Sequence, residues 1–513
     1  MSGTNPDRPR ICVVGAGIAG LAAAWQIRTS APDAELVVLE TASRPGGVIR
    51  TSQFAGRAVD EAADAFLARV DDGTRLCAEL GLADDLVAPA TGQAFVHLDG
   101  ELVPLPRAQF LGVPLDLDGL DGKVLSPAGV AALQEDLNRP APPPGGSAGT
   151  DRRGVAEPPS GIGRVPSWGG SRAGAEPRSA DCSIGTLIRS RLGAEVLERL
   201  VGPLVGSINA GDCDRLSLHA AAPALAEAAR ADASLIRALR EQGTDRSSRE
   251  ITASGPVFWG LRGGMERLTA SLAERLAPAL SFHEPAVALR VDPAGPAGPS
   301  VHSVETPDRS ISCDGVVLAV GAQQCAGLVA PWAPEAAALL ERTGTASVAI
   351  VALAYQASEV PQVTAGSGFV VPAASGLAIT ACSWASTKWA HLGASASGDG
   401  MAILRVSLGR HGDDTIVRQP EATLVAAVRA GLEATMGITA APAEVRVSRW
   451  PDAFPQYAVG HVERTVAVEA ALGASGVFCA GASFHGVGIP SCIGSGRRAG
   501  RAALARALDR GRP

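Results

Sequence analysis

The sequence predicts an α/β nucleotide-binding domain joined to an α+β part made of a mixed sheet and a lobe of helices. Three observations predict it. At the N-terminus an apolar run, a glycine-rich turn, a helix-like stretch and a second apolar run follow one another. Two further buried-strand runs, each trailed by small residues, stand far downstream at Gly315–Val320 and Gly476–Ala480. Between these runs the pattern changes from helical to strand-like, so the chain is not a simple alternation of strand and helix.

In chain order, Ile11–Val14 reads as a short buried strand, Ile18–Arg28 as a helix and Leu36–Glu40 as the next strand. That βαβ start requires a parallel sheet. Adding the two downstream runs, the nucleotide domain is expected from three separated segments, 1–65, 260–330 and 462–513. Ser347–Tyr355 and Ala402–Leu408 carry the β-branched, alternating character of strands and place a mixed-sheet substrate domain at 66–110, 241–259 and 331–461. Ile184–Leu239 is rich in Leu, Ala and Arg at helical spacing, which gives a helical lobe at 111–240. Within that lobe Asn138–Ala180 is dominated by Pro, Gly, Ser and Arg, too poor in core formers to fold, and predicts a disordered insertion at 138–180.

Composition narrows the function. With 513 residues, 46% of them hydrophobic, the chain buries more than one domain's core. A net charge of −7 without a dense basic cluster lacks the footprint of a nucleic-acid binder. The nine cysteines are scattered singly from Cys12 to Cys492, with no C-x-x-C pair and no metal-ligand spacing, which fits reduced thiols in a cytoplasm and no metal site. Arg8 and Arg10 ahead of the apolar Ile11–Ile27 imitate a signal peptide, but the glycine spacing inside that run argues for a nucleotide fold. Elsewhere no apolar run reaches the roughly 18 residues of a membrane-spanning helix, so the chain is expected to be soluble or at most peripheral.

Gly15-Ala16-Gly17-Ile18-Ala19-Gly20 follows the first strand and opens the helix, and Glu40 closes the second strand. This is the dinucleotide fingerprint in its required context. Gly15 permits the tight turn, Gly17 lets backbone N–H groups approach a pyrophosphate, and Gly20 lets the helix pack on the strand. The Glu40 carboxylate can accept the ribose hydroxyls. Near the other end, Gly481–Ile493 leads into an Ala/Arg-rich helix whose start is preset by Pro490. A helix N-terminus there would stabilise negative charge on a reduced cofactor ring. No second G-x-G-x-x-G follows a strand, so no nicotinamide site is visible and the electrons are expected to leave to dioxygen.

Arg44-Pro45-Gly46-Gly47, just after the acid, resembles the flavoprotein group that includes amine oxidases and porphyrinogen oxidases, and selects FAD as the cofactor. Further segments resemble the porphyrinogen oxidase family in its Gram-positive-type branch, which oxidises coproporphyrinogen III. They are Phe66-Leu67-Ala68-Arg69, Pro203–Asp212 with Leu216-Ser217-Leu218, Thr380–Trp384 leading to Lys388-Trp389, Pro455–His461, and Gly481–Ile493. The resemblance runs nearly end to end and implies an amine oxidase-like FAD fold. It implies cofactor contacts at Gly15, Ala16, Gly17, Ile18, Ala19, Gly20, Glu40, Thr41, Arg44, Gly46, Gly47 and Val48. It extends them to Ala62, Ala63, Asp64, Ala65, Val287, Trp450, Gly481, Gly488, Ile489 and Pro490.

The implied reaction removes six electrons in three steps, each delivering a hydride to flavin while dioxygen becomes hydrogen peroxide. Such chemistry needs a held macrocycle and anchored propionates more than a dedicated acid or base. Arg69 is the preferred propionate anchor, since a guanidinium grips carboxylate bidentately, and Lys388 is the second candidate. No residue is assigned a catalytic proton transfer: His461 and His485 have no carboxylate at fixed spacing and read as structural. Cys479 and Cys492 read as packing residues.

Three positions depart from the family pattern. Ala62-Ala63-Asp64-Ala65-Phe66 stands where relatives have Gly-Pro-x-Ser-Phe, Val70 where some carry a lysine, and Asn209 where a tyrosine is usual. Other readings are protoporphyrinogen IX as main substrate, an amine oxidase-like flavin oxidase, and a porphyrin-binding flavoprotein without turnover. The amine oxidase reading expects aromatic walls, and the chain has two tyrosines, Tyr355 and Tyr457. A transient contact with a ferrochelatase and attachment at a membrane surface are both compatible with the resemblance.

Overall fold

The computed structural model describes residues 8–118, 120, 122–140, 181–249, 256–292, 300–361, 366–393 and 400–510. Apart from residues 138–140, the insertion expected at 138–180 lies outside the described residues.

Five parallel strands form the first sheet, in the order Leu280–Ser281, Glu35–Leu39, Arg10–Val14, Gly315–Leu318, Val477–Cys479. Ile11 pairs with Leu36 on one side and Gly315 on the other, so the first strand is central. Such a strand is covered on both faces, which explains its unbroken apolar character. Helix Ile18–Ser30 covers one face, and the C-terminal helix Ile489–Arg510 lies against it. The two helices touch through small residues: a Cβ on Gly496 would stand 2.1 Å from the Ala19 carbonyl oxygen, and one on Gly500 2.6 Å from that of Ala23. Only glycine permits this approach.

A seven-stranded sheet follows the order Glu444–Gln456, Gly344–Gln356, Met401–Leu408, Ile379–Trp384, Gly368–Val370, Phe95–Leu98, Glu101–Pro104. Gly368–Val370 runs parallel to Phe95–Leu98 and the other pairs are antiparallel, so the sheet is mixed. Its period-2 pattern assigns each face a different task. Ala349, Val351, Leu353, Leu404, Val406 and Leu408 pack with Leu424, Val428 and Leu432 of helix Glu421–Met436. The intervening residues face the rest of the molecule.

The lobe contains helices Pro127–Leu137, Ile184–Leu192, Gly202–Asn209, Pro223–Ala231 and Leu235–Arg249 around Leu133, Ile184, Ile188, Leu192 and Leu200. Ser126 and Ser183 cap their helices by accepting the backbone N–H groups of Gly129 and Thr186. The fully buried Asp136 accepts N–H groups of Leu235 and Ile236 and the Ser234 hydroxyl, so its charge is met by the start of helix Leu235–Arg249. Among the described residues no helix is long and apolar enough to cross a membrane.

Candidate active site

The nucleotide end is assembled from backbone. Gly15 has φ +100°, and a Cβ there would lie 2.6 Å from the Ala319 carbonyl oxygen, so side chains are refused on both grounds. A Cβ on Gly20 would meet the Gly15 carbonyl oxygen at 1.9 Å. At Gly17 a Cβ would meet nothing within 4 Å, which leaves beside the start of helix Ile18–Ser30 the open space a pyrophosphate would need. Gly46 N–H donates to the Ala16 carbonyl at 2.8 Å, laying the Arg44–Gly47 turn against the glycine loop.

The expected contact residues play unequal parts in this cradle. Each Glu40 carboxylate oxygen accepts one backbone N–H at 2.8 Å, from Ala16 and Ala42, which fixes the carboxylate between strand end and glycine loop with lone pairs to spare. Arg44 donates to the carbonyls of Pro45, Gly47 and Ile49, so its guanidinium shapes the turn. Thr41, Gly47 and the half-exposed Val48 lie at the surface beside this turn. His283 and Glu284 donate to the carbonyls of Ala42 and Glu40, and Val287, 55% exposed, follows at the same edge. These features fit the adenosine diphosphate half of a flavin dinucleotide.

The loop Ala62–Ala65 is clamped to the inner face of the seven-stranded sheet. Two rows of side chains cross four strands there: Arg446, Ala352, Arg405 and Ser383, then Ser448, Ile350, Ser407 and Ala381. Arg405, 6% exposed, donates to the Ala62 carbonyl and holds Asp64 at 2.9 Å. Arg446 donates to Ser52 and to the Val59 carbonyl, Ser448 to the Glu61 carboxylate at 2.9 Å, and Trp450 to the Glu61 carbonyl at 3.1 Å.

Lys388 departs from expectation. Its ammonium sits 3.0 and 3.1 Å from the two Asp64 oxygens, and Trp389 Nε1 donates to the same carboxylate at 3.0 Å. The residue expected to anchor a propionate is thus committed to the loop acid, and Asp64 is the reason. Burial acts to raise the Asp64 pKa, but Lys388 and Arg405 outweigh it and hold the carboxyl well below its ordinary value. Asp60, four residues earlier, goes the opposite way: burial pushes it up to about 6, although Thr51 Oγ1 and Met265 N–H donate to it.

The C-terminal segment comes against the glycine loop at Gly481, where a Cβ would lie 3.5 Å from the Ala19 side chain, and continues through Gly488-Ile489-Pro490 into the last helix. Tyr457 supports it from below, its hydroxyl donating to the Ala482 carbonyl and accepting the Gly486 N–H at 2.8 Å. The His461 ring stacks on Tyr457 with centroids 4.1 Å apart, and its Nε2 meets the Phe484 carbonyl at 3.1 Å. Burial lowers the His461 pKa to about 4, so this ring is neutral. His485 differs from expectation, because Glu469 of helix His461–Gly473 orients it with Oε1 2.5 Å from Nε2. Sixteen residues of separation hid that partner, which one helix and the following strand bring back. Burial pushes the Cys492 thiol up to about 12, and the hydrogen bond with Cys325 together with burial raises Cys479 well above the ordinary value, so both stay protonated.

A cavity of about 490 Å³ opens between the lobe and the same inner sheet face. The lobe contributes Gly202, Pro203, Gly206, Ser207 and the turn Ala210–Asp214; the sheet contributes Val348, Ile350, Thr380, Ser407, Arg410 and Phe454. Ile350 pairs with Ser448 and Val348 with Trp450, the residues that hold Glu61, and Ser407 lies two positions from Arg405. Two positions along a strand are about 7 Å, so the cavity and the Ala62–Ala65 loop adjoin. Arg69, the preferred anchor, is exposed, 6.0 Å from the Phe110 ring centroid, and does not line this cavity. Asn209 turns inward, donating to the Val205 carbonyl at 2.9 Å. Sequence reasoning missed Arg405, Arg446 and Arg410; for Arg405 and Arg410 the signal was an arginine inside or just after an otherwise apolar strand.

Comparison with known proteins agrees with this geometry. The family profile described as flavin containing amine oxidoreductase matches residues 18–504. A coproporphyrinogen III oxidase of Bacillus subtilis (strain 168) is 30% identical over 504 residues, covering 96% of this chain and 98% of the relative. One from Mycobacterium leprae (strain TN) is 32% identical, covering 95% and 96%. A crystal structure from Exiguobacterium sp. 255-15, provisionally named a protoporphyrinogen oxidase, superposes with TM-score 0.77 at 28% identity, covering 97% of this chain and 99% of that one. The chain therefore belongs to the flavin containing amine oxidoreductase family and, within it, to the coproporphyrinogen III oxidases.

Proposed function

We propose that this protein uses FAD and dioxygen to oxidise coproporphyrinogen III to coproporphyrin III, consuming three dioxygen molecules and releasing three of hydrogen peroxide. The observation that carries the reading is the shared sheet face, on which a cavity of about 490 Å³ adjoins the loop Glu61–Asp64. That volume is in the range of ligand-sized pockets, and its sheet floor of Val348 and Ile350 suits a large apolar macrocycle. Bound FAD supplies the redox chemistry, taking two electrons per cycle and passing them to dioxygen.

The chain's own residues bind and orient. Gly15–Gly20, Glu40 and the Arg44–Gly47 turn would hold the dinucleotide half, chiefly through backbone N–H groups and the start of helix Ile18–Ser30. Ala62–Ala65, Trp450 and Gly488–Pro490 would hold the ring half. Arg405 and Lys388 keep the loop in place by pairing with Asp64. Helix Ile489–Arg510 brings the positive end of its dipole to the residues that would meet the ring, which favours the anionic reduced form. Tyr457 and His461, which support this segment, are buried with raised and lowered pKa respectively, so each remains neutral and neither is positioned as a proton carrier.

The test follows porphyrin fluorescence and peroxide release with coproporphyrinogen III and protoporphyrinogen IX in parallel under air. Faster formation of coproporphyrin with three peroxides per product is the expected result. Faster turnover of protoporphyrinogen would move the substrate assignment and leave the chemistry. A yellow protein that releases no peroxide above the autoxidation blank would remove the oxidase reading.

A further inference from the structure

The arginines near the Ala62–Ala65 loop are matched, but the cavity beside it holds a cation that is not. Arg405 has Asp64 at 2.9 Å, and Arg446 donates to Ser52 and to the Val59 carbonyl. Arg410 is half-buried and lines the cavity, yet among the described residues none gives its guanidinium a hydrogen bond or an ion pair. Asp413, across the turn, acts on it through space without forming a pair. A partly desolvated guanidinium with no anion is an uncompensated charge.

The backbone beneath Arg410 is fixed from three sides. Gly409 has φ +88°, and a Cβ there would lie 2.5 Å from the Ser347 carbonyl oxygen, so the chain leaves strand Met401–Leu408 in one direction. Arg410 N–H donates to the Asp413 carbonyl at 3.2 Å and Asp413 N–H to the Arg410 carbonyl at 2.9 Å, closing the turn. His411 N–H donates to the Ala210 carbonyl at 2.7 Å, tying that turn to the lobe across the cavity. Such a preorganised fork loses little freedom when it meets a planar anion. The cavity's other charges, Arg189, Glu198, Asp212 and Asp214, are exposed, and Arg189 is paired with Asp214. Water screens those groups more than Arg410.

We propose that Arg410 is the interior anion anchor of this cavity and grips one propionate carboxylate of the tetrapyrrole. The inference rests on the porphyrinogen reading above. It assigns the anchor to the turn after the sheet strand, away from Arg69 and Lys388.

The test titrates the FAD-loaded full-length protein with coproporphyrin III and with its tetramethyl ester, following the porphyrin absorbance. Arg410→Gln is expected to weaken the acid about tenfold, the size of one charge-assisted hydrogen-bonded contact, and Arg410→Lys to recover part of that loss. The uncharged ester should bind wild type and both variants alike. Equal weakening of acid and ester would mean a structural role and would overturn the proposal, as would an unchanged affinity of Arg410→Gln for the acid. If wild type binds neither porphyrin while holding FAD, the porphyrinogen reading itself falls, and the anchor with it.

Discussion

The glycine loop and the inner face of the seven-stranded sheet do comparable work, each presenting a surface to one part of the same reaction, but they are built differently. At the loop, six consecutive residues and one acid twenty positions later make the surface, and the decisive groups are backbone atoms. At the sheet face, Arg446, Ala352, Arg405 and Ser383 come from four strands spread over dozens of residues, and the decisive groups are side chains. A backbone site depends on where side chains are missing. A side-chain site depends on which charges meet, so the two should fail differently.

The largest difference should appear within the loop itself. Gly15→Ala introduces a Cβ 2.6 Å from Ala319 O at φ +100°, and is expected to destabilise by about 4 kcal/mol or more. Gly17→Ala meets no protein atom within 4 Å and has φ −68°, so the apoprotein should melt as wild type does. Its added methyl stands where the pyrophosphate would approach, and FAD retention on gel filtration should fall sharply. If Gly17→Ala keeps FAD as tightly as wild type, the open space beside helix Ile18–Ser30 is not the phosphate site.

That contrast also explains what the sequence could tell. Gly15, Gly17, Gly20 and Glu40 are legible because their spacing is local and the structure that uses it, strand–turn–helix–strand, is local too. The mixed sheet was legible in kind, since Ser347–Tyr355 and Ala402–Leu408 alternate, although Gly344–Gln356 and Met401–Leu408 extend further than those runs. Strand register was not legible, and register decides that Arg405 faces Ala352 while Asp64 reaches both Arg405 and Lys388. Lys388 looked like a propionate anchor because its partner lies 324 residues away. The Glu469–His485 pair was hidden for the same reason at shorter range.

At the sheet face the next largest effect comes from removing the shared anion. Asp64→Asn leaves Lys388 and Arg405 facing each other, both largely buried, and should destabilise by about 3 kcal/mol at neutral pH, read from urea denaturation. Lys388→Met leaves Arg405 on Asp64 and is expected to be milder, about 1 kcal/mol. Equal losses in the two variants would mean that Arg405 does not hold the carboxylate without the lysine. Because the Asp64 pKa is depressed, its contribution is present above the unfolded value, 3.8, and disappears as pH falls through the lower folded value.

Asp60, which closes the strand just before that loop, should respond to pH with the opposite sign. Its pKa rises from 3.8 to about 6 because burial disfavours the carboxylate, and the Thr51 and Met265 donors do not compensate fully. The folded protein therefore holds a proton that the unfolded chain has released between those two pH values. Its stabilising contribution is complete below pH 3.8 and is lost as pH rises through about 6. Asp60→Asn keeps an oxygen for both donors and removes the titration, so it should gain on the order of 2 kcal/mol at pH 7 relative to its own difference at pH 4. The measurement is urea denaturation of wild type and variant at both values. If the difference between the two proteins does not change with pH, Asp60 titrates as an ordinary carboxylate, and the segment Asp60–Asp64 carries one electrostatically special acid, Asp64, in place of two with opposed responses.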